Sequence, residues 1–228
     1  MCGRYTLSTP ADLLADLMEV QTKSELSARY NIAPTQEAPI LRVIEDSSSR
    51  RELTLLKWGL VPFWAKDPAI GNRMINARAE TVAEKPSFRT SFKKRRCVVP
   101  ADGFYEWQKT GSGKQPYLFR RRNRQPFGMA GLWDRWDKGD GQPLETFTIL
   151  TTQPNELVAT AHHRMPVMLS QTNIDLWLDP VADSEGDFDA LWNPYPAAEM
   201  EGFPVSTYVN NPANDTPRCI EPLRVSEG

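Results

Sequence analysis

Cys2 is the first residue in this sequence whose type and position suggest chemistry. It follows the initiator methionine and is small enough to permit removal of Met1, which would leave an N-terminal 1,2-aminothiol. The ordinary pKa of such an α-amine is about 7.7–8.0 and that of the thiol about 8.5, so both nucleophiles are partly available at neutral pH. An aldehyde condenses with the amine to an imine, and the thiol then closes a thiazolidine ring. The alternative is an ordinary, unreactive cysteine.

Aromatic, amide and guanidinium side chains follow in segments suited to nucleic-acid contact. Trp58 and Trp64 flank a proline turn, and we expect Trp58 to pack in the core and Trp64 to stack on a nucleobase. Such stacking is worth about 1–3 kcal/mol per base. Asn76, near a predicted helix start, either caps that helix or holds a reacting sugar through its amide. Arg78 carries a planar guanidinium that binds two phosphate oxygens at once.

Glu106 and two adjacent histidines are the candidates for proton transfer. Glu106 lies in the aromatic run FYEW, and burial of that strand would raise its pKa towards neutrality, as suits a general acid–base group. A strand with one solvent-facing side is the alternative. His162 and His163 are the only imidazoles and come just before Arg164. A histidine there is either a hydrogen-bonded structural residue or the proton shuttle of a site.

The length and net charge of the chain limit the fold and the mode of nucleic-acid binding. The chain has 228 residues, 40% of them hydrophobic, which is enough for one sizeable core. The formal net charge is −2, so nucleic-acid binding would depend on local clusters of basic residues. Two basic runs, at 93–96 and 120–124, are candidates for such clusters, with solvated surface as the alternative.

The N-terminal sequence and the spacing of the cysteines indicate where the protein is located and whether it binds a cofactor. The sequence starts without the apolar region of a signal peptide and has no apolar run of about 18 residues, so we expect a cytoplasmic protein, nucleoid-associated in a bacterium, without membrane contact. Cys2, Cys97 and Cys219 are widely spaced, which predicts reduced thiols. Since neither CxxC nor HExxH spacing occurs, we expect no metal and no cofactor.

Hydrophobic periodicity and turn residues predict many short elements. A first helix, capped by the hydroxyls before Pro10, is expected over residues 11–20. Strands are predicted at 38–44, 53–58, 97–100, 104–108, 117–121, 127–132, 147–151 and 205–209, and further helices at 78–84, 154–162 and 172–178. This order is typical of an α+β fold with a mainly antiparallel sheet. We expect one domain over residues 2–228, with the stretch from Pro212 partly mobile.

Six segments, taken in order, resemble the SOS-response-associated peptidase (SRAP) family. They are MCGRY at the start, RYNIAP at 29–34, WGLVPFW at 58–64, INARAET at 75–81, RCVVPADGFYEW at 96–107 and HHRMPVML at 162–169. Their order and spacing make the combination specific, and the resemblance runs from Cys2 to about Asn211. It implies a compact α+β domain with a barrel-like β core flanked by helices and with a positively charged cleft.

The same resemblance implies a function and roles for individual residues. After self-removal of Met1, Cys2 would form a protective covalent crosslink to abasic sites in single-stranded DNA. Asn76 would hold the N-terminus and the opened sugar, and Glu106 would move protons during imine formation, ring closure and reversal. His162 would act on the sugar oxygen; it is preferred to His163 because its spacing to Arg164 matches the family pattern.

The remaining implied roles concern DNA contact. Arg4, Arg78 and Arg164 would contact phosphates, while Pro34 and Trp64 would splay the strand at the lesion. Elimination of the 3′ phosphate at the imine stage predicts a weak lyase activity. We expect a monomer whose partner is single-stranded DNA containing abasic sites.

Other functions fit part of the pattern. Class II glutamine amidotransferases also begin Met-Cys-Gly, but here Arg4 replaces their usual Ile and no Asn-Gly-Glu loop is present. A non-catalytic single-strand-binding module would need only Trp64 and the arginines. A protease acting on other proteins is suggested by the family's name, but a single cut at Met1 needs no substrate cleft.

Overall fold

The computed structural model describes residues 2–20, 26–44, 50–111, 113–139, 141–182, 186 and 188–223. The strands are β1 (Tyr5–Leu7), β2 (Arg29–Ile32), β3 (Glu37–Val43), β4 (Arg51–Trp58), β5 (Asn76–Arg78), β6 (Arg96–Ala101), β7 (Gly103–Thr110), β8 (Gly113–Arg121), β9 (Phe127–Trp136), β10 (Leu144–Thr152), β11 (Met165–Pro166), β12 (Met168–Leu169) and β13 (Met200–Pro204). The α-helices are α1 (Ala11–Leu17), α2 (Arg89–Lys94), α3 (Glu156–Ala159) and α4 (Gln171–Leu178). Short 3-10 helices lie at Pro68–Arg73, Ala79–Thr81, Asp189–Trp192, Ala197–Glu199, Thr207–Asn210 and Pro217–Ile220. Across these described residues, no helix is long and apolar enough to cross a bilayer.

Five strands close into a small barrel. Starting from β4, the order is β4-β3-β6-β9-β10, and β10 returns to pair with β4. The pair β10–β4 is parallel, as is the short β5 alongside β10, and the other pairs in the ring are antiparallel. Closure removes the free edges that an open sheet would present. The predicted α+β domain with a mainly antiparallel, barrel-like core is confirmed.

A second, antiparallel sheet contains the N-terminal strand. Its order is β13-β8-β7-β1-β2, so β1 lies between β7 and β2. Tyr5 stands opposite Phe104 on β7 and Ile32 on β2, and Tyr105 donates its N–H to the carbonyl of Arg4 at 2.9 Å. Because β1 is paired on both sides, the residues just before it are held beside β7, the strand that contains Glu106.

One hydrophobic core joins the barrel, the second sheet and the helices. The Trp58 ring stacks on Phe147 with 6.2 Å between centroids, and Tyr5 meets Trp58 edge-on at 5.3 Å. The Trp58 indole N–H donates to the carbonyl of Ile75 at 2.8 Å, which satisfies its one polar group. The predicted packing role of Trp58 is therefore confirmed. The same hydrogen bond ties the end of β4 to the residue before Asn76.

The predictions for two helices were partly wrong: the first helix lacks the expected side-chain cap, and the second segment is mostly not helical. In α1, Pro10 occupies the N-cap position without a side-chain cap, since the hydroxyls of Ser8 and Thr9 bond to the Asp102 carboxylate in the β6–β7 turn. The helix predicted at 78–84 is instead the end of β5 followed by the 3-10 turn Ala79–Thr81, because this segment pairs with β10.

The last predicted strand is displaced along the chain. Residues 200–204 form β13, which pairs with β8, whereas Thr207–Asn210 is a 3-10 helix whose start is capped by the hydroxyl of Ser206. The strand MEGFP contains glycine and proline, which have low β propensity, so pairing with β8 overrides the local preference. The helix predicted at 154–162 is reduced to the single turn α3, capped by Asn155.

Two glycines close the loop between β4 and β5. Gly59 has a φ of 126°, a conformation that L side chains rarely adopt, and its N–H donates to the carbonyl of Phe147 at 2.8 Å. A Cβ placed on Gly71 would lie 2.5 Å from the carbonyl oxygen of Gly59, well inside van der Waals contact. This close backbone approach fixes the base of the loop that contains Trp64.

We expect Gly71→Ala to lower the free energy of unfolding by about 1–3 kcal/mol, because the added methyl group collides with backbone that cannot move freely. Urea denaturation would measure the difference. Gly111→Ala is the matched control, since a Cβ there meets nothing within 4 Å. If both variants are equally stable, the close approach does not constrain the loop.

Candidate active site

The N-terminal residues are anchored by an amide on a neighbouring strand. Cys2 is fully buried, and its carbonyl accepts a hydrogen bond from Asn76 Nδ2 at 2.8 Å. Asn76 begins β5, beside Ile149 of β10, so strand pairing positions the amide. The Asn76 Oδ1 atom is buried and has no hydrogen-bond partner among the described residues. Buried acceptors usually have a hydrogen-bond partner. The Oδ1 atom can therefore accept a hydrogen bond from a hydroxyl group of a bound ligand.

The thiol of Cys2 is protonated in its resting state. Burial raises its pKa above the ordinary value, and the nearby charge of Glu106 raises it further. The Sγ atom lies 4.0 Å from the carbonyl of Arg4, which is at most a weak hydrogen bond. The thiolate is the reactive form, so use of this thiol requires a base that takes its proton as the new bond forms.

Glu106 has the properties of such a base. It lies on β7 opposite Tyr117, and only 3% of its surface is exposed. Burial raises the pKa of its carboxyl group to about 7, since the charged form is poorly solvated. A carboxyl group with this pKa exists in both protonation states at neutral pH and so both donates and accepts protons.

His162 completes the group around Glu106. Its Nδ1 atom lies 3.9 Å from Glu106 Oε1 and accepts a hydrogen bond from the backbone N–H of Arg164 at 3.1 Å. Burial lowers the pKa of His162 to about 4, and the positive charge of the terminal amine lowers it further. The ring is therefore neutral at pH 7. Its Nδ1 atom also lies 3.3 Å from the Arg164 carbonyl oxygen, so the tautomer decides which of the two Arg164 backbone groups it bonds to.

The two histidines are not equivalent. Their rings stack with 4.3 Å between centroids. His163 is exposed, whereas the Nδ1 atom of His162 lies 3.9 Å from Glu106 Oε1. The structure thus brings together all four residues predicted for the chemistry, namely Cys2, Asn76, Glu106 and His162. Their individual roles stay predictions.

Two of the arginines predicted to contact phosphates are buried and bonded inside the protein. Arg4, 9% exposed, donates from Nη1 to Asn31 Oδ1 and to the carbonyl of Val209, each at 2.8 Å. Arg164 donates from both terminal nitrogens to Glu80, at 2.6 and 2.8 Å, and also to the carbonyl of Thr151. These contacts were not predicted, because they join segments far apart in the chain.

Arg78, Pro34 and Trp64 lie closer to the surface. Arg78 is exposed, Pro34 is half-buried, and Trp64 is 41% exposed with its indole N–H 3.4 Å from the carbonyl of Pro86. The residue after Pro34, Thr35, has a φ of 73°, which is strained for a β-branched side chain, and its N–H donates to Trp58 O at 2.8 Å. This bond ties the Pro34 turn to the base of the Trp64 loop.

Sequence reasoning missed two residues around these side chains. Phe63 is 45% exposed beside Trp64. Its position between Pro62 and Trp64 in the sequence could have predicted that both rings offer a stacking surface. Glu80 forms an ion pair with Arg164. Its position in the INARAET segment, two residues after Arg78, could have marked it as a candidate site residue.

The two basic runs divide between surface and interior: Lys93, Lys94 and Arg124 are exposed, as the solvated-surface interpretation predicts, whereas other members are bonded within the protein. In 93–96, Arg95 pairs with Asp134 at 2.8 Å and Arg96 is buried, donating to backbone carbonyls at the ends of α2 and α4. In 120–124, Arg120 pairs with Glu201 at 2.7 Å and Arg122 donates to the carbonyl of Met200. These arginines mostly hold the fold together. Within the described ranges, no three His, Cys, Asp or Glu side chains form a group suited to a metal ion.

Comparison with known proteins gives a consistent set of relatives. The sequence matches the family described as SOS response associated peptidase (SRAP) over residues 1–212. It is 44% identical to the abasic site processing protein YoqW of Bacillus subtilis over 225 residues, covering 97% of this chain and 99% of that protein. It is 38% identical to the abasic site processing protein HMCES of Gallus gallus, covering 86% of this chain and 66% of that protein. A crystal structure of a protein from Bacteroides thetaiotaomicron, 31% identical, superposes with a TM-score of 0.88 over 98% of this chain and all of that one.

Proposed function

The chain belongs to the SOS response associated peptidase (SRAP) family, and from this membership and the geometry around Cys2 we propose that it processes abasic sites in DNA. The proposed product is a thiazolidine crosslink between Cys2 and the aldehyde of an abasic sugar in single-stranded DNA. The observation that carries the proposal is the placement of Cys2, held through its carbonyl by Asn76, beside a buried carboxyl group with a pKa of about 7.

The first step is removal of Met1. Hydrolysis of the Met1–Cys2 peptide bond gives the hydroxyl of water to the methionine carbonyl and a proton to the Cys2 nitrogen, which becomes an amine. We propose that the site itself promotes this cut, with Asn76 holding Cys2 in place and Glu106 moving the proton. The freed amine and thiol then belong to one residue, as a thiazolidine requires.

The second step joins protein and DNA. The Cys2 amine attacks the C1′ aldehyde, and the resulting carbinolamine loses water when protonated Glu106 donates to the departing hydroxyl. Loss of water leaves an iminium ion whose nitrogen keeps one proton. The thiol sulfur then adds to the iminium carbon, the C=N π electrons return to nitrogen, and ionised Glu106 accepts the thiol proton, which restores its protonated form. The net reaction is aldehyde plus aminothiol to thiazolidine plus water, so no oxidant or cofactor is needed.

Two polar groups suit the sugar. An abasic deoxyribose is mostly a closed hemiacetal, so crosslinking needs ring opening. We propose that the neutral ring of His162 donates from Nε2 to the sugar oxygen as it opens and that Asn76 Oδ1 accepts a hydrogen bond from a sugar hydroxyl. Positioned groups of this kind typically accelerate such a step by about 10²–10⁴-fold.

The DNA contacts are proposed on exposure and chemistry. Arg78 binds a phosphate, and the Phe63 and Trp64 rings stack on bases beside the lesion, with Pro34 wedging the strand open. Arg4 and Arg164 contribute to phosphate binding only to the extent that their internal bonds leave N–H groups free. We further propose that the protein acts as a monomer and has weak lyase activity, because the imine stage also permits elimination of the 3′ phosphate.

The test is a denaturing gel of the purified protein with single-stranded DNA bearing one abasic site. We expect a heat-stable shifted band with wild type that is absent with intact DNA and absent for Cys2→Ala, while intact mass confirms loss of Met1. No band from a protein with a free Cys2 would refute crosslinking.

Separate assays of DNA binding, glutamine hydrolysis and proteolysis distinguish the rival functions. Retained single-strand binding in Cys2→Ala, without covalent product in wild type, would indicate a non-catalytic binding module. Ammonia release from glutamine in place of crosslinking would indicate an N-terminal-nucleophile amidohydrolase. Cleavage of an unrelated protein substrate would indicate a general protease.

A further inference from the structure

Glu80 and Arg164 form a two-point ion pair next to the proposed site. Arg164 Nη1 lies 2.6 Å from Glu80 Oε1, and Nη2 lies 2.8 Å from Oε2. Glu80 follows β5 and Arg164 precedes β11, and both strands pair with β10. A bidentate contact sets the orientation of the planar guanidinium as well as its position.

The backbone of the same arginine is bonded to the His162 ring. The Arg164 N–H donates to His162 Nδ1 at 3.1 Å, and the Arg164 side chain is further anchored to the carbonyl of Thr151 on β10. The same Nδ1 atom lies 3.3 Å from the Arg164 carbonyl oxygen, a contact that would need the proton on Nδ1. The bond from the Arg164 N–H is the shorter of the two and favours an accepting Nδ1, with the ring proton on Nε2. The choice of tautomer therefore depends on where Arg164 is held.

We propose that Glu80 is a positioning residue: by holding the Arg164 guanidinium, it fixes the backbone N–H that sets the tautomer and orientation of His162. This inference rests on the proposed function, because the Nε2 proton matters there as the donor to the opening sugar. Among the described residues, the side chain of Glu80 bonds to Arg164, so it acts on the site through that residue.

The charge balance predicts how this role differs from DNA binding. Glu80 neutralises both terminal nitrogens of Arg164, and a phosphate would have to compete with it for them. Loss of the Glu80 charge should therefore leave DNA affinity unchanged or improved. Loss of His162 positioning should slow the reaction once DNA is bound. In metal sites, outer-shell partners that orient histidine rings are typically worth about 10–100-fold in activity, and we expect an effect within that range here.

The kinetic test compares Glu80→Gln with Glu84→Gln, a control in the turn that follows, whose side chain is exposed. With abasic single-stranded DNA, we expect the crosslinking rate at saturating DNA to fall about tenfold in Glu80→Gln, while the half-saturating DNA concentration does not rise. Glu84→Gln should match wild type in both. An unchanged saturating rate in Glu80→Gln, or a loss confined to DNA affinity, would overturn the proposal.

A second readout needs no DNA. The chain has two histidines, so long-range nitrogen–proton spectra of the ¹⁵N-labelled imidazoles resolve each tautomer. We expect a single Nε2–H form of His162 in wild type and a mixture in Glu80→Gln. Arg164→Lys, which keeps the charge but loses the two-point contact, should give the same mixture. A single unchanged tautomer in both variants would refute the relay, whereas the expected spectra from a wild type that forms no crosslink would refute only the proposed function.

Discussion

Replacing Cys2 with serine is expected to abolish the heat-stable crosslink while leaving the earlier imine intact. Serine keeps the N-terminal amine once Met1 is removed, so the condensation with the aldehyde still occurs. Its hydroxyl is a far weaker nucleophile than a thiol, and the ring that protects the linkage from hydrolysis does not persist. Denaturing gels should show no band for Cys2→Ser after heating, but a band when borohydride reduces the imine before denaturation.

Cys219→Ser provides the matched control for loss of a thiol. Cys219 is buried and its Sγ donates to the carbonyl of Asn214 at 3.1 Å, a bond that a serine hydroxyl also makes. This variant should crosslink like wild type with or without reduction. A Cys2→Ser protein whose unreduced product survives heating as well as wild type would rule out the thiazolidine.

Glu106→Gln is expected to slow crosslinking by about 10²–10⁴-fold, because an amide of the same shape cannot transfer protons. Wild type should show a bell-shaped pH dependence, falling at acid pH as the amine becomes protonated and at alkaline pH as Glu106 ionises. The limbs reflect an amine pKa of about 8 and a Glu106 pKa of about 7. Glu106→Gln should lose the alkaline limb and rise steadily with pH.

The same substitution should stabilise the protein. Unfolding returns Glu106 to its ordinary pKa of 4.5, whereas burial raises the folded value to about 7. The folded state therefore binds the proton more tightly, and stability is lost as pH rises between these values. By linkage the cost reaches about 3 kcal/mol above pH ~7. Glu106→Gln should thus unfold at higher urea than wild type at pH 8, with little difference at about pH 4.

Glu156→Gln, at an exposed position on α3, is the control for both measurements. It should follow wild type in rate and in urea midpoint at each pH. If Glu106→Gln keeps the alkaline limb, that limb belongs to another group and Glu106 is not the proton donor.

The candidate residues of the site were predictable where residue type and local sequence single them out, and their roles stay predictions. Cys2 is identified by its position after Met1, and Glu106 by a carboxylate inside an aromatic strand, which the structure buries. Strands β3 and β4 were predicted as short runs rich in apolar and β-branched residues, and the structure pairs them. The choice of His162 over His163 depended on spacing to Arg164 and stays a prediction. In the structure, the Nδ1 atom of His162 lies 3.9 Å from Glu106 and accepts from the Arg164 N–H.

The features that the sequence did not predict depend on contacts between residues far apart in the chain. No local pattern places Asp102 on the hydroxyls of Ser8 and Thr9, so the α1 cap was assigned to the wrong group. Glu80 and Arg164 are 84 residues apart, and an arginine beside histidines suggests a phosphate contact until its carboxylate partner is known. Strand β13 likewise forms through pairing with β8 and against its own composition.

The internal bond from Arg4 to the carbonyl of Val209 links positions 205 residues apart and has a consequence for synthesis. During translation, the chain emerges from the ribosome N-terminus first, at about 5–20 residues per second. Arg4 emerges early, but the acceptor that completes its bonds is made 205 residues later. The strand next to the nucleophile therefore reaches its final position after translation, and prematurely terminated chains lack an assembled site.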